Sequence, residues 1–364
     1  MLPYYIVFFL LALFAFWDTI SIKVHQRTWA LLFLSLILVL FATFRGNIGF
    51  QDYDEYAYSY ADIVHNGLWS ENYSSSAAIF EPGFVLIYYL CSLITPNPIF
   101  GFWVISLIAV SLNLLCYKQY SKYFLIALIL YFVHTFVLRE MMQIRAGVAA
   151  AVCLYSIRYI EERRIGAFMC SILMAISFHL ASIIFIFAYW VYVLDWSKRT
   201  WMWIVGICLT IGLVMPLGKL LSMTPLGGIG ERIAVYTWMI GSSSGIFTNP
   251  TILKQLFIVI LCFSYWETLN DKVPHFKILS FCLMMSLCWL LLWNDFPIIS
   301  GRLGTFFSIT EVMVIPSFLY IVTPRSRSLV FLIITLYAFL ILWLNIRVGN
   351  FVLYNSGLTL PETL

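Results

Sequence analysis

Long apolar segments, separated by short polar connections, make up most of the chain. Because the hydrocarbon core of a bilayer offers the backbone no hydrogen-bond partners, such segments are predicted to be helices. They predict an all-α, polytopic integral membrane protein with roughly 11–13 hydrophobic segments, one or two of them re-entrant. The predicted segments are residues 2–22, 28–44, 80–95, 98–116, 122–138, 143–160, 166–178, 180–194, 200–216, 251–267, 273–294, 302–323 and 328–344.

The stretch 166–194 is too long for one upright helix at about 1.5 Å per residue, so it is divided near His179. Composition supports a membrane protein, since 62% of the 364 residues are hydrophobic and only 10% are charged. A mean hydropathy of +0.94 excludes the ordinary soluble classes. The eight cysteines all lie in apolar segments, which predicts free thiols.

Basic residues in the connections predict which side of the membrane each faces, because cytoplasmic loops are enriched in Lys and Arg. Residues 45–79 and 217–250 form two large loops that are predicted to be external, on a single transmembrane domain covering residues 1–364. Strict alternation puts the basic loop 117–122 outside, so either the short segment 80–95 does not cross fully or that loop breaks the rule. The predicted cytoplasmic loops are 117–122, 158–164, 195–199, 270–277 and 324–327.

The stretch 138–152 carries two arginines and a glutamate ahead of a run of small residues. A guanidinium at the centre of a membrane helix costs about 3 kcal/mol or more, so it needs a partner. Glu140 is predicted to pair with Arg139 or Arg145, which leaves the other for an anionic group on a substrate. Small residues such as Gly147 are predicted to let a neighbouring helix approach closely. The alternative is an arginine that only extends to the headgroups.

Three residues are candidates for a general base, and each has a simpler alternative. Asp52 lies in the acidic, tyrosine-rich stretch 44–60, where a carboxylate could instead bind a cation or only solvate a loop. Glu81 precedes Pro82 at a predicted helix start, where it could act as a cap. His179 is a lone histidine in an apolar stretch, where it could be a hydrogen-bonded core residue.

Arginines on the predicted external face are candidates for binding phosphate or pyrophosphate, because a guanidinium makes paired hydrogen bonds to such groups. Gln143 and Tyr56 are candidates for substrate contact, as is Tyr236 in the glycine-rich loop 217–250, whose alternative role is a plain connector. The sequence matches no P-loop, GxSxG, HExxH or GxGxxG motif, so no cofactor or metal ion is expected. The arginines are Arg45, Arg139, Arg145, Arg232 and Arg302.

Several short motifs, taken in order, resemble the EpsG-like group of Wzy-type polysaccharide polymerases. The resemblance extends from about residue 45 to about residue 310, and the order and spacing of the motifs are more specific than any single one. The motifs are Arg45 with GFQDYDEY (49–56), EPGF (81–84), QIRAG (143–147), RYIEER (158–163), FH (178–179) and GR…FF (301–307).

The resemblance implies a glycosyltransferase of the bacterial inner membrane that polymerises O-antigen or exopolysaccharide repeat units on the periplasmic or outer face. The donor would be an oligosaccharide linked to undecaprenyl pyrophosphate. Membrane lipids and a chain-length regulator protein would be its partners, with no nucleic acid involved. On this basis Arg145 and Arg302, with Arg139, are predicted to hold the donor's pyrophosphate. Asp52, Glu81 or His179 would deprotonate the acceptor hydroxyl.

Two other functions remain open from the sequence. An O-antigen ligase would use a similar site with lipid A core as acceptor. A glycolipid flippase or transporter would belong to another class, and it should show broken helices and charged residues near the membrane midplane. The charges of this chain gather at one predicted face and no internal repeat is present, which favours the enzyme.

Overall fold

A computed structural model describes residues 1–20, 22–46, 51–68, 80–222 and 245–348. Within these ranges the regular elements are helices and no strand is present, which confirms the all-α prediction. The α-helices, numbered in chain order, are α1 Leu2–Ala15, α2 Val24–Thr43, α3 Gln51–Asn66, α4 Pro82–Ser92, α5 Pro98–Tyr120, α6 Phe124–Tyr131, α7 Val137–Arg139, α8 Ile144–Glu161, α9 Ile165–Phe178, α10 Ile186–Val193, α11 Lys198–Val214, α12 Leu217–Ser222, α13 Pro250–Ser264, α14 Trp266–Lys272, α15 Phe276–Leu292, α16 Pro297–Ser308, α17 Glu311–Ser317 and α18 Arg327–Val348.

Tighter or wider turns interrupt the α-helices at several points. A π-helical stretch, Phe132–Phe136, joins α6 to α7, and a 3₁₀ segment, Leu180–Phe185, follows α9. His179 lies between α9 and that 3₁₀ segment, so the predicted division of residues 166–194 near His179 is confirmed.

Three apolar helices of the described chain are long enough to cross a membrane, namely Val24–Thr43, Pro98–Tyr120 and Pro324–Arg347. Two further pairs of helices are bent: α13 and α14 meet at Tyr265 at 78°, and α16 and α17 meet at 50°. If each pair counts as one span, the described chain has up to five membrane-spanning helices. The other predicted apolar segments also coincide with helices, none of which is longer than 18 residues in the described chain. Helix α4 has 11 residues and is therefore about 16 Å long. That length favours the alternative in which segment 80–95 does not cross fully.

The first predicted external loop contains a helix that the sequence reading missed. Helix α3 covers 16 residues of the segment 45–79, and its tyrosines do not all project into solvent. Tyr56, Ala57, Tyr60 and Ile63 are buried, and their spacing of three and four residues places them on one side of the helix. Tyr56 and Tyr60 therefore lie on the buried face of an amphipathic helix, whereas the sequence had indicated a loop.

The contacts group the chain into two compact units. In unit 1 (residues 1–156, 169–183 and 315–364), every side chain of α6 is buried, and α1, α2, α5 and α18 contact it. Asp18 caps this central helix by accepting hydrogen bonds from the N–H groups of Leu125 (2.7 Å) and Ile126 (3.0 Å). The prediction of a single transmembrane domain stays a prediction.

Unit 2 (residues 157–168 and 184–314) has α15 as its central helix. Helices α10, α11, α13 and α16 contact it. The side-chain amide of Asn294, just beyond α15, donates to the carbonyl oxygen of Gly212 in α11 at 2.9 Å. A Cβ atom on Gly212 would lie 3.0 Å from the backbone carbonyl carbon of Leu291, so glycine permits this close approach.

Candidate active site

Three helix ends of unit 1 bring Glu81, Arg145 and His179 together. Glu81 immediately precedes α4, Arg145 lies in the first turn of α8, and His179 immediately follows α9. Glycine at position 83 makes the approach of α4 to α9 possible, because a Cβ there would lie 2.8 Å from the carbonyl oxygen of Ser177. The sequence located the three helix ends separately, and the packing at Gly83 explains why two of them meet.

Glu81 is the centre of this cluster. One carboxylate oxygen, Oε2, accepts a hydrogen bond from Nη1 of Arg145 in an ion pair. The other, Oε1, lies 3.2 Å from Nδ1 of His179 and 3.3 Å from the backbone nitrogen of Leu180, which donates to it. Glu81 makes no side-chain hydrogen bond to the N-terminus of its own helix. Glu81 therefore occupies the N-cap position of α4, but its carboxylate is bound to other groups.

The carboxylate of Glu81 is stabilised in its ionised form. Partial burial raises its pKa, but the hydrogen bond with His179 and the positive charge of Arg145 more than offset this, so the pKa falls from 4.5 to about 2. Glu81 therefore remains an anion throughout the physiological range. A carboxylate with so low a pKa is a weak proton acceptor, which makes Glu81 better suited to positioning its neighbours than to acting as the base.

The Arg145 side chain lies against aromatic rings rather than reaching into solvent. Its guanidinium carbon is 4.5 Å from the ring centroid of Phe80 and 5.8 Å from that of Tyr56. Its Nε atom is buried and has no hydrogen-bond partner in the described structure. A buried donor without a partner costs about 1–3 kcal/mol, so the Nε–H group of Arg145 is left unsatisfied even while Arg145 pairs with Glu81.

The cluster is only partly buried. The side chains of Glu81, Arg145 and His179 are 19%, 22% and 24% exposed, respectively. His179 is hydrogen-bonded, as its alternative role as a core residue requires, but its ring is partly exposed. An ionised carboxylate against one ring nitrogen is the arrangement that orients a histidine base in many hydrolytic and transfer enzymes.

Of the other residues predicted for the site, Tyr56 of α3 contacts this cluster directly. Tyr56 packs against Arg145, as described above, and Asp52 precedes Tyr56 by one helical turn of α3. Arg139 donates a hydrogen bond to the side-chain oxygen of Gln143, two residues before Arg145. Arg45 is buried, with its guanidinium 4.8 Å from the ring centroid of Phe102.

The predicted pairing of Glu140 with an arginine is replaced by another contact. Glu140 is buried, and its Oε1 accepts a hydrogen bond from the hydroxyl of Tyr131 at 3.0 Å. Arg145 takes Glu81 as its acidic partner instead. The absent side chain of Gly147 leaves room for the Glu140 carboxylate, so this glycine accommodates an acid rather than a neighbouring helix.

Replacing Gly147 with alanine is expected to lower the free energy of unfolding by about 1–3 kcal/mol, the usual cost of overpacking. The added methyl group would clash with the buried carboxylate of Glu140. Gly206→Ala in α11 is the matched control, because a Cβ at position 206 meets no atom within 4 Å. Thermal unfolding of both purified variants would test this. A Gly147→Ala protein as stable as the Gly206→Ala protein would contradict the packing described here.

The structure does not place the remaining predicted site residues in the cluster. Arg302 lies exposed in α16 of unit 2. Arg232 and Tyr236 lie outside the described residues. Within the described ranges, no group of three or more His, Cys, Asp or Glu residues could hold a metal ion.

Sequence reasoning missed Phe80 and the backbone N–H group of Leu180. Phe80 directly precedes Glu81, so an aromatic residue beside a candidate acid was a signal that could have been used. The contribution of the Leu180 N–H group depends on the backbone turn after α9, and the sequence carries no signal for it.

Comparison with known families identifies the chain. The model of the EpsG family matches residues 28–356. The chain belongs to the EpsG family. This EpsG protein is similar to the amylovoran biosynthesis protein AmsC of Erwinia amylovora, with 27% identity over 282 residues that cover 75% of the chain and 74% of AmsC. No solved structure matches it.

The matched region of this EpsG protein contains Glu81, Arg145 and His179. The suspected resemblance to the EpsG-like polymerases is thereby confirmed. Family membership, the similarity to AmsC and the apolar helices support a membrane protein with a general role in exopolysaccharide or O-antigen polymerisation.

Proposed function

We propose that this protein polymerises the repeat units of an exopolysaccharide or O-antigen, using undecaprenyl-pyrophosphate-linked oligosaccharides on the outer face of the bacterial inner membrane. The observation that carries the proposal is the Glu81–Arg145–His179 cluster within an EpsG-family chain. It combines an arginine that keeps an unpaired donor with a histidine that an ionised carboxylate orients.

His179 is the proposed general base. Its Nδ1 faces the Glu81 carboxylate at 3.2 Å, which orients the ring so that the opposite nitrogen can take a proton from the acceptor hydroxyl. The hydroxyl oxygen then bonds to the anomeric carbon of the donor glycan. The bond from that carbon to the pyrophosphate oxygen breaks, and undecaprenyl pyrophosphate leaves with the bonding electrons. Glu81 is a positioning residue in this scheme, and Asp52 remains a further candidate for the base.

Arg145 is the proposed anchor of the pyrophosphate. Its Nε carries a buried donor with no partner, and negative charge develops on the leaving pyrophosphate as the glycosidic bond breaks. Fixed donors aimed at developing charge lower a barrier because they need no reorganisation during the reaction. Arg45 and Arg139, with the substrate contacts Tyr56 and Gln143, remain proposed parts of this binding site, and the substrate roles predicted for Arg302, Arg232 and Tyr236 stay predictions.

An apolar groove beside the cluster suits the lipid part of such a donor. It lies between α4 and α9, has a volume of ≈ 350 Å³, and is lined by Gly83, Leu86, Ile87, Met174 and Phe178 among others. The two helices that form its walls also carry Glu81 and His179 at their ends. An isoprenoid chain in this groove would leave its pyrophosphate close to Arg145.

A glycolipid flippase is the second candidate, and one observation favours it. The span α16–α17 bends by 50°, and Glu311, at the start of α17, is buried and pairs with Lys254 of α13 at 2.9 Å. Broken helices with buried charges are typical of transporters. The family assignment and the exposed cluster of unit 1 still favour the polymerase.

The surface polysaccharide of a deletion strain distinguishes these functions. Loss of a polymerase is expected to leave single repeat units attached to their acceptor, because the units are still made and exported. Loss of a flippase is expected to remove the polysaccharide completely. Full-length chains accumulating on undecaprenyl lipid would indicate a ligase. A gel of extracted polysaccharide from the deletion strain, with a complemented strain as control, gives the result.

A further inference from the structure

Unit 2 contains a second, separate cavity that the proposed reaction does not use. It has a volume of ≈ 910 Å³ and lies between the N-terminus of α11 and the elbow where α13 turns into α14. Tyr265 forms this elbow, and the chain turns there by 78°. The volume is near the upper end of the range of about 300–1,000 Å³ for ligand pockets.

Two cations without protein partners lie at one end of this cavity. Lys198 and Arg199 both line it, and both lie in the first turn of α11, which contains no acidic residue. Within the described ranges neither side chain makes an ion pair or a hydrogen bond. Two cations at the positive end of a helix repel its dipole, so an anion between them would relieve an unfavourable arrangement.

The rest of the lining is largely apolar. Met202 of α11 and Ile260 of α13 are each about half exposed, and Phe263 lies one turn beyond Ile260. Their exposure is unfavourable in water but suits a hydrocarbon chain. Glu267, at the start of α14, is the acidic residue of the lining and is exposed. The cavity therefore offers a cationic end, an apolar wall and one acceptor.

The loops around the cavity meet at one end of unit 2. Lys277, the last residue of the loop 270–277 and the second of α15, pairs with Asp195 of the loop 195–199. His275 of the same loop contacts Glu161 of the loop 158–164 at 2.7 Å. Sequence reasoning assigned all three loops to the cytoplasmic side because of their basic residues. The cytoplasmic leaflet is rich in anionic lipids, which basic pockets between helices bind.

We propose that this cavity binds an anionic phospholipid of the cytoplasmic leaflet. Its phosphate lies between Lys198 and Arg199, and one acyl chain runs along Met202, Ile260 and Phe263. Glu267 accepts hydrogen bonds from headgroup hydroxyls, which phosphatidylglycerol supplies. The apolar wall is the reason for choosing a lipid over free phosphate. The proposal is independent of the reaction proposed for unit 1.

The test is lipid titration of the purified full-length protein after delipidation in detergent, read by native mass spectrometry. The probes are phosphatidylglycerol, phosphatidylcholine and inorganic phosphate. The protein with Lys198→Ser and Arg199→Ser is expected to bind phosphatidylglycerol about 25-fold more weakly than the wild type, since each of the two cations near a charged surface contributes roughly fivefold. Wild-type protein should prefer phosphatidylglycerol to phosphatidylcholine by a similar factor.

A charge-matched control separates the cavity from general attraction to acidic lipid. Lys23→Ser with Arg325→Ser removes two exposed cations outside the cavity and should bind phosphatidylglycerol like the wild type. Equal affinities of the two double variants would overturn the proposal. So would displacement of the lipid by inorganic phosphate at similar concentration, which would indicate a simple anion site. If the cavity variant does not fold, Arg199→Ser alone, at an exposed side chain, must still weaken binding severalfold.

Discussion

Replacing Arg145 with lysine is expected to reduce polymer synthesis by at least about 100-fold, the usual scale for losing one donor that stabilises developing charge. Lysine can still form an ion pair with Glu81. It cannot lie flat against Phe80 and Tyr56 as the guanidinium does, nor can it offer the planar paired donors that suit pyrophosphate. Arg145→Ala is expected to be no more active than Arg145→Lys.

The measurement is polymer length and amount at matched levels of membrane protein, compared for the wild type and the two variants. Arg164→Lys is the control, because Arg164 is 63% exposed and forms a surface ion pair with Glu162. That variant should keep normal polymer synthesis, since surface pairs contribute only about 0–1 kcal/mol. Full activity of Arg145→Lys would show that a positive charge suffices and would remove Arg145 as a two-pronged pyrophosphate ligand.

Replacing His179 with alanine, or Glu81 with glutamine, is also expected to cost at least about 100-fold in rate, the scale of general base catalysis. His179→Ala removes the proposed base and should lower kcat with little change in KM for the donor. Glu81→Gln removes the charge that both orients His179 and pairs with Arg145. It should therefore lower kcat and raise KM together.

Exposed His65 on α3 provides the control substitution, His65→Ala, which should be neutral.

Glu81 stays ionised because its pKa is lowered to about 2, so Glu81 should contribute no step to a pH–rate profile between about pH 5 and about pH 9. Its stabilising contribution should be lost only as the pH falls below about 4.5 towards 2. Normal polymer ladders from both His179→Ala and Glu81→Gln would move the base elsewhere, with Asp52 as the next candidate.

The helices were largely predictable, because an apolar run in lipid has few structures open to it. Helix ends were predictable where a proline or a polar residue marked them, as at Pro82 and His179. Helix α3 was not found, since half of its buried face consists of tyrosines (Tyr56 and Tyr60), which also occur in external loops. Here tertiary burial of one face decided the structure, rather than the composition of the segment.

The candidate site was predictable residue by residue but not as a cluster. Glu81, Arg145 and His179 are 64 and 34 residues apart along the chain, and no local pattern states that their helix ends meet. That contact depends on the fit of Gly83 against Ser177. The pairing of Glu140 was predicted wrongly because its partner Tyr131 lies nine residues earlier along the same interrupted helix, beyond the π-helical stretch, and no local sequence pattern indicates that contact.

Reconstitution of the purified protein in liposomes, with an undecaprenyl-pyrophosphate-linked repeat unit as the only substrate, tests the central claim most directly. The account predicts a ladder of polymer lengths without any nucleotide sugar, with one undecaprenyl pyrophosphate released for each repeat unit added. It also predicts that Arg145→Ala and His179→Ala proteins in the same liposomes form almost no ladder. Ladders of normal length and rate from both variants would contradict the assignment of the Glu81–Arg145–His179 cluster as the active site.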